Sequence, residues 1–420
     1  MHARSQLSVH RCAPCVPDYS SIRPTRVKLH ASPGVIIAQM GIVYRWLAPA
    51  LLLVALAPLA PAIAQEEVSA PEPDSGAIVC APSVVRGSGM ECLMEGPSAY
   101  LKELARAGFS LPPSPLLASR PDRALSDLPY RYFHVISDEP VSIGSSPGAS
   151  GGDSLFPGFV YVGYVDRVDT GSGIYYLTQS GGWVPGKGER VGEIPTFQGL
   201  EFRSTPHNSF GWTFEDIPVH AAPGCGASET GRRLAPFSVI QIYATQQADG
   251  VDWNQIGLGQ WVEARKIAQV IINKNSPEGS GAAARWIEVN LAEQTLTVYQ
   301  DHRLVFATMI ASGVEPFWTR PGVFQIGKKI ESETMRNNDP SDFYYLDNVP
   351  WTMYFDGPRA LHGAYWRTRF GYPQSHGCVN LSVGDAHWIY NWAQEGDWVY
   401  VHDPTGQTPT DPALYTGGAY

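Results

Sequence analysis

The sequence predicts a mainly β protein: two small β-barrel modules, then a β-rich domain with a short helix after Cys378. Three observations predict it. Aromatic residues make up 11%, charged residues only 17%, and there are 42 Gly and 35 Pro, a balance that favours turns and short strands over long helices. A short strand-rich pattern recurs twice before residue 270. Beyond residue 285 apolar residues alternate with a period of two, and helical spacing is confined to two short stretches.

At 420 residues the chain exceeds one ordinary domain, and two to four are expected. Net charge is −10 without a lysine-arginine run. Nucleic acid, which requires a cationic footprint, is therefore a poor partner. From Met40 a single Arg45 precedes an apolar run from Trp46 to about Leu59, followed by Ala62-Ile63-Ala64. A positive start, a short apolar stretch and small residues at its end make a secretory signal over 40–64. The competing reading is a membrane anchor, but the run is shorter than the ~20 residues a bilayer span needs. Residues 1–39 fit no signal and read as an upstream extension ahead of a start at Met40. Their Cys12-x-x-Cys15 then carries no meaning. No second apolar run appears, so the expectation is a secreted, wall-located protein with no integral span after cleavage.

Four cysteines follow the signal: Cys80, Cys92, Cys225 and Cys378. In an oxidising compartment cysteines tend to pair. Cys80 and Cys92 close a short loop, whereas Cys225 has no evident local partner.

Residues 65–127 read as a leader, rich in Pro, Glu, Ser and Ala at its start, with a short helix from about Pro97 to Ala107 that places Leu101, Leu104 and Ala105 on one face. The repeat comes next. Leu155-Phe156-Pro157-Gly158-Phe159-Val160-Tyr161-Val162 is similar to Leu234-Ala235-Pro236-Phe237-Ser238-Val239-Ile240. Each copy runs through a Gly-containing turn to a Trp-Val end, and Phe159 to Trp183 matches Phe237 to Trp261 in length. Each copy fits a small barrel, over 128–200 and 216–270. The stretch at 253–262 resembles bacterial Src-homology-3-like domains of wall-associated proteins, a resemblance spanning roughly 128–270. It implies wall binding; the alternative is a spacer.

Residues 271–284 are a linker by composition, 285–403 a compact β-rich domain and 404–420 a tail. In that domain Ile287, Val289 and Leu291 alternate, as do Leu296 and Val298 after a turn, which is a hairpin signal. Arg303–Ile310 and Gly322–Ile326 supply two more strands. Ser382 reads as a helix cap ahead of Ala386, Ile389, Tyr390 and Ala393, and Gly396 ends the segment.

Two islands hold the candidate chemistry: Leu361-His362-Gly363 and Ser375-His376-Gly377-Cys378-Val379-Asn380. A lone buried cysteine is usually a small hydrophobe. Here two histidines lie within sixteen residues of it, each followed by glycine. A thiol becomes a nucleophile where a histidine takes its proton and backbone dipoles stabilise the thiolate. Cys378 also precedes a helix, in a loop whose N–H groups suit an oxyanion.

These islands resemble the signature of the L,D-transpeptidase (YkuD) family: His-Gly, then Ser or Thr, His-Gly-Cys, a hydrophobic residue, and Asn or Arg. The opening strands from Arg285 to Tyr299 and Thr319-Arg320-Pro321-Gly322-Val323-Phe324 are similar to the family as well, so the resemblance covers 285–402. It implies Cys378 as nucleophile, His362 as general base, and the Gly363 carbonyl as the group that orients the imidazole. N–H groups around His376, Gly377 and Cys378 would form the oxyanion hole. Ser375, His376 and Asn380 would support loop and substrate, and Tyr354 would line the pocket. The implied reaction forms peptidoglycan cross-links through a cysteinyl thioester, with release of D-alanine from a stem tetrapeptide and no cofactor or metal.

Three alternatives stand beside it. Water as acceptor would make the enzyme an L,D-carboxypeptidase or endopeptidase. A zinc site could draw on His362, His376 and Cys378 with His387 or His402, though its spacing matches no common zinc pattern. A non-enzymatic wall-binding module, or a structural disulfide at Cys378, would leave the thiol without chemistry.

Overall fold

The computed structural model describes residues 97–106, 116–186, 190–191, 194–273, 275–339 and 342–415. The upstream extension, the signal segment, Cys80 and Cys92 lie outside these residues. The leader helix spans Pro97–Arg106 and buries Leu104.

The alternating residues beyond 285 form the expected hairpin, Arg285–Asn290 antiparallel to Thr295–Gln300. Asn290 shapes the turn, its Oδ1 accepting the N–H groups of Ala292 and Glu293 at 3.1 Å each, a local bond to which Asn is suited. The hairpin sits inside a seven-stranded sheet. Its order is Ala118–Ser119, Leu200–Phe202, Arg303–Met309, Thr295–Gln300, Arg285–Asn290, Trp398–His402 and Gly322–Gln325. A second, nine-stranded sheet runs from Val379–Leu381 through Arg359–Gly363, Tyr344–Asp356, Phe159–Asp169 and Arg131–Val135 to Arg190–Val191.

The main core lies between these sheets. Ile287, Val289, Leu296 and Val298 from the first meet Met353, Leu361, Val379 and Leu381 from the second. Each buried aliphatic side chain contributes roughly 1.5–3 kcal/mol. The helix Val383–Trp392 covers one end with Ala386 and Ile389. Ser382 caps it as the sequence indicates, its Oγ accepting the Asp385 N–H at 3.3 Å. The Asp385 carboxylate is fully buried and accepts Gly199 N–H at 2.9 Å and the Thr308 hydroxyl at 2.6 Å. It thereby ties the helix to both flanking segments.

Trp286 and Tyr299 point to the opposite face of the hairpin, stacked at 4.6 Å. They enter a second core with Phe197, Leu200, Phe210, Trp212 and Val270. Packing therefore continues across the sequence expected to be a linker.

The two expected barrels do not close: no sheet among the described residues forms one. Residues 131–191 do fold as a meander, Arg131–Val135 pairing with Phe159–Asp169 and that strand with Ile174–Thr178. Its edge, however, joins Tyr344–Asp356 in parallel, with Phe159 opposite Tyr344 and Tyr161 opposite Leu346. Residues 210–270 form two open sheets, of three and five strands. The physical reason is at the edges. A short meander presents unpaired N–H and C=O groups, and here the other side of Phe159–Asp169 is taken by a distant strand.

Candidate active site

The two islands arrive on adjacent strands. Arg359–Gly363 carries His362, and Val379–Leu381 lies parallel to it, with His362 opposite Asn380. Cys378 precedes that second strand. A cleft is lined by His362, Ser375, His376, Cys378 and Asn380 together with Phe159, Met335, Tyr344, Leu346, Trp366 and Arg367. Five of the eight residues singled out from sequence thus meet at one cavity.

A hydrogen-bonded chain fixes the imidazole. Its Nδ1 lies 3.2 Å from the Gly363 carbonyl, which only accepts, so the proton sits on Nδ1. Nε2 is then an acceptor and takes the Asn380 side-chain N–H at 3.0 Å. The Asn380 carbonyl oxygen accepts in turn from Arg367 Nε. Arg367 completes its fork on Gln374, with 3.2 Å to the side-chain oxygen and a further bond to the backbone carbonyl. Burial pushes His362 down to about 4, with a smaller push from Arg367.

Cys378 is a free, buried thiol. Its S–H points to the Pro358 carbonyl at 3.8 Å and its sulfur receives the Ala360 N–H. Among the described residues it makes no hydrogen bond to His362. Burial raises the thiol to about 11; the Ala360 N–H and the Arg359 cation offset this in part. At neutral pH the pair is thus thiol and neutral imidazole, not an ion pair. Arg359 is almost wholly buried beneath the loop, 3.4 Å from the Trp318 carbonyl and 3.4 Å from Asp356.

The loop that carries Cys378 is held from several sides. Ser375 Oγ donates to the Cys378 carbonyl at 2.5 Å and accepts the Gly377 N–H at 3.1 Å. Thr319 Oγ1 donates to the Gly377 carbonyl at 2.9 Å. Gly377 sits at φ +116°, and a Cβ there would meet Arg359 Nε at 3.2 Å, so this glycine is required by the backbone. Gly363 is not: it ends a regular strand, and its added Cβ would meet Pro350 Cγ at 3.0 Å. Of the three expected oxyanion donors, Gly377 N–H is spent on Ser375. Those of His376 and Cys378 have no acceptor among the described residues.

His376 lines the cleft, with its Nε2 3.1 Å from Asp342 and its ring between Phe317 and Tyr344. Tyr354, expected to line the pocket, is not among the cleft-lining residues: it packs on Ala360 and Cys378 and bonds Glu333. The other histidines are held elsewhere. His387 stacks on Trp351 at 3.7 Å and bonds the Leu125 carbonyl, and His402 faces Glu288 at 3.0 Å. Among the described residues no group of three or more His, Cys, Asp or Glu is arranged to hold a metal ion. Cys225 is disulfide-bonded, and not to Cys378.

Sequence reasoning missed Arg367, Arg359 and Phe159. Arg367 lies between the islands, where attention was due. Phe159 stands far upstream and gave no signal.

Residues 284–401 match the family model of the YkuD L,D-transpeptidase catalytic domain, and this segment is a domain of that type. No curated protein matches the chain. Among solved structures, an L,D-transpeptidase mutant from Enterococcus faecium is 25% identical over 29% of this chain and 50% of its own, with a TM-score of 0.27. The isolated catalytic domain of the E. faecium L,D-transpeptidase is 26% identical over 29% of this chain and 100% of its own, TM-score 0.27. An L,D-transpeptidase from Mycobacterium smegmatis is 18% identical over 50% of this chain and 93% of its own, TM-score 0.27. The likeness spans only about half of the first of these proteins, and TM-scores this low carry no weight for the architecture of the whole chain.

Proposed function

We propose that this protein is an exported L,D-transpeptidase that cross-links peptidoglycan through a thioester on Cys378. One observation carries the reading: within a segment matching the L,D-transpeptidase catalytic domain, the thiol and a tautomer-fixed histidine line one cleft. Cys378 Sγ attacks the carbonyl of the L-centre residue that precedes D-alanine in a stem tetrapeptide. The thiol proton passes to His362 Nε2, whose lone pair is freed when Asn380 yields its hydrogen bond. The tetrahedral oxyanion is met by the N–H groups of His376 and Cys378. Collapse breaks the peptide bond, His362 returns the proton to the leaving amine, and D-alanine departs. A stem-peptide amine from a neighbouring strand then gives its proton to His362, attacks the thioester, and restores the thiol.

The substrate lies outside the cytoplasmic membrane, and we place the protein there. The signal pattern at 40–64 and the disulfide-bonded Cys225 support this. Among the described residues no helix is long and apolar enough to cross a membrane. Wall contact by residues 128–270 belongs to the same proposal.

His362→Ala should lower acyl transfer by roughly 10²–10⁴-fold, the range for a general base. His387→Ala, whose ring stacks on Trp351 away from the cleft, should stay within a few fold. Equal losses would overturn the assignment of the base.

A further inference from the structure

The cleft beside Cys378 has a wall that the 284–401 segment does not supply. Residues on Arg131–Val135 and Phe159–Asp169 pair in register: Tyr132 with Gly163, His134 with Tyr161. Because side chains alternate across a strand, Tyr132 and His134 share one face with Phe159 and Tyr161. The parallel pairing of Phe159 with Tyr344 and Tyr161 with Leu346 continues that face into the cleft.

The face is graded from core to mouth. Innermost, Tyr132 stacks on Tyr365 at 3.5 Å, and their hydroxyls donate to the carbonyls of Asn348 at 3.0 Å and Asp347 at 2.6 Å. In the middle, His134 and Tyr161 stack at 4.5 Å, and Tyr161 lies 6.4 Å from Trp366. At the mouth Phe159 keeps 39% of its surface exposed. Phe159 is thus an exposed ring on a rigidly held strand, lining the same cavity as the thiol.

We propose that Phe159 is a substrate-positioning residue for the reaction proposed above, and that the strands ahead of the catalytic segment complete its donor site. The Phe159 ring seats a flat face of the donor: the C–H face of its sugar or the plane of a peptide group. This rests on the transpeptidase reading. A ring in this place adds binding without touching the reacting bond. Its removal should therefore raise KM and spare kcat.

The test uses the full mature chain with Phe159→Ala, Phe159→Trp and, as a control, Val165→Ala, an exposed position further along the strand. Donors are disaccharide-tetrapeptide and free tetrapeptide. Phe159→Ala should raise KM roughly tenfold with kcat within about threefold; Phe159→Trp should restore most of it, and Val165→Ala should change nothing. A KM effect limited to the disaccharide donor assigns the sugar; an equal effect on both assigns the peptide. Unchanged KM with both donors overturns the proposal, as does a loss in kcat alone. Alkylation of Cys378 separates this from failure of the parent reading. If wild-type protein forms no acyl adduct, the wall still requires Phe159→Ala to speed labelling by a bulky aromatic maleimide several-fold relative to iodoacetamide. An unchanged ratio overturns the wall as well.

Discussion

The protonation state of the resting site can be read from the pH dependence of Cys378 alkylation. Burial lifts this thiol from 9.0 to about 11, and lowers His362 from 6.5 to about 4. A two-unit rise corresponds to roughly 2.7 kcal/mol favouring the thiol over the thiolate. At pH 7 only about one molecule in ten thousand then carries a thiolate. Iodoacetamide labelling of the free protein, followed on the Cys378 peptide by mass spectrometry, should climb about tenfold per pH unit from pH 7 to 10. A preformed thiolate–imidazolium pair would instead label at a rate nearly flat from pH 5 to 8. That flat profile would refute the neutral pair, and with it the claim that proton transfer awaits the substrate.

The remaining expectations concern the supports of the site. Asp385→Ala strands the buried Gly199 N–H and Thr308 hydroxyl, and at about 1–3 kcal/mol each urea unfolding should show a loss of about 2–6 kcal/mol. Burial raises Asp385 to about 6, above its unfolded value of about 3.9. Its contribution is therefore full below pH 3.9 and lost as pH rises through 6, and this component of the stability profile should vanish in Asp385→Asn. His362 has the opposite sign: its folded value of about 4 lies below 6.5, so its contribution is present above pH 6.5 and lost as pH falls toward 4. Asn380→Asp removes the donor to Nε2 and sets a carboxylate beside it. The imidazole should then titrate well above 4 by NMR, and an unchanged titration would contradict the Arg367–Asn380–His362 chain. Gly377→Ala forces a Cβ into a backbone at φ +116° and should cost about 1–3 kcal/mol; a neutral change would show that the loop relaxes freely.

Much of this architecture was legible before any coordinates. Period-two alternation located the hairpin from Ile287 to Val298, and Ser382 marked the start of the helix because a cap is a local event between neighbours. The islands at 362 and 375–380 were legible because their residue types are chemically specific. What stayed hidden is non-local. The meander at 131–191 has the right pattern for a small barrel, but pattern does not say which strand satisfies an edge, and here Tyr344–Asp356 does so. For the same reason Phe159 was invisible as a cleft residue. Tyr354 packs on Cys378 without joining the cleft lining, a placement that no spacing reveals. Arg359 and Arg367 act through burial and partners, and a single arginine carries neither in its sequence context.

The most direct test of the central claim is intact-mass spectrometry of the mature protein mixed with a disaccharide-tetrapeptide, beside Cys378→Ala. The account predicts a covalent acyl adduct on the wild type alone, lighter than the donor by the lost D-alanine, followed by a cross-linked dimer product. An adduct that yields only hydrolysed tripeptide would keep Cys378 but replace transfer with carboxypeptidase activity. An adduct that persists in Cys378→Ala, or none with any donor, would contradict the account.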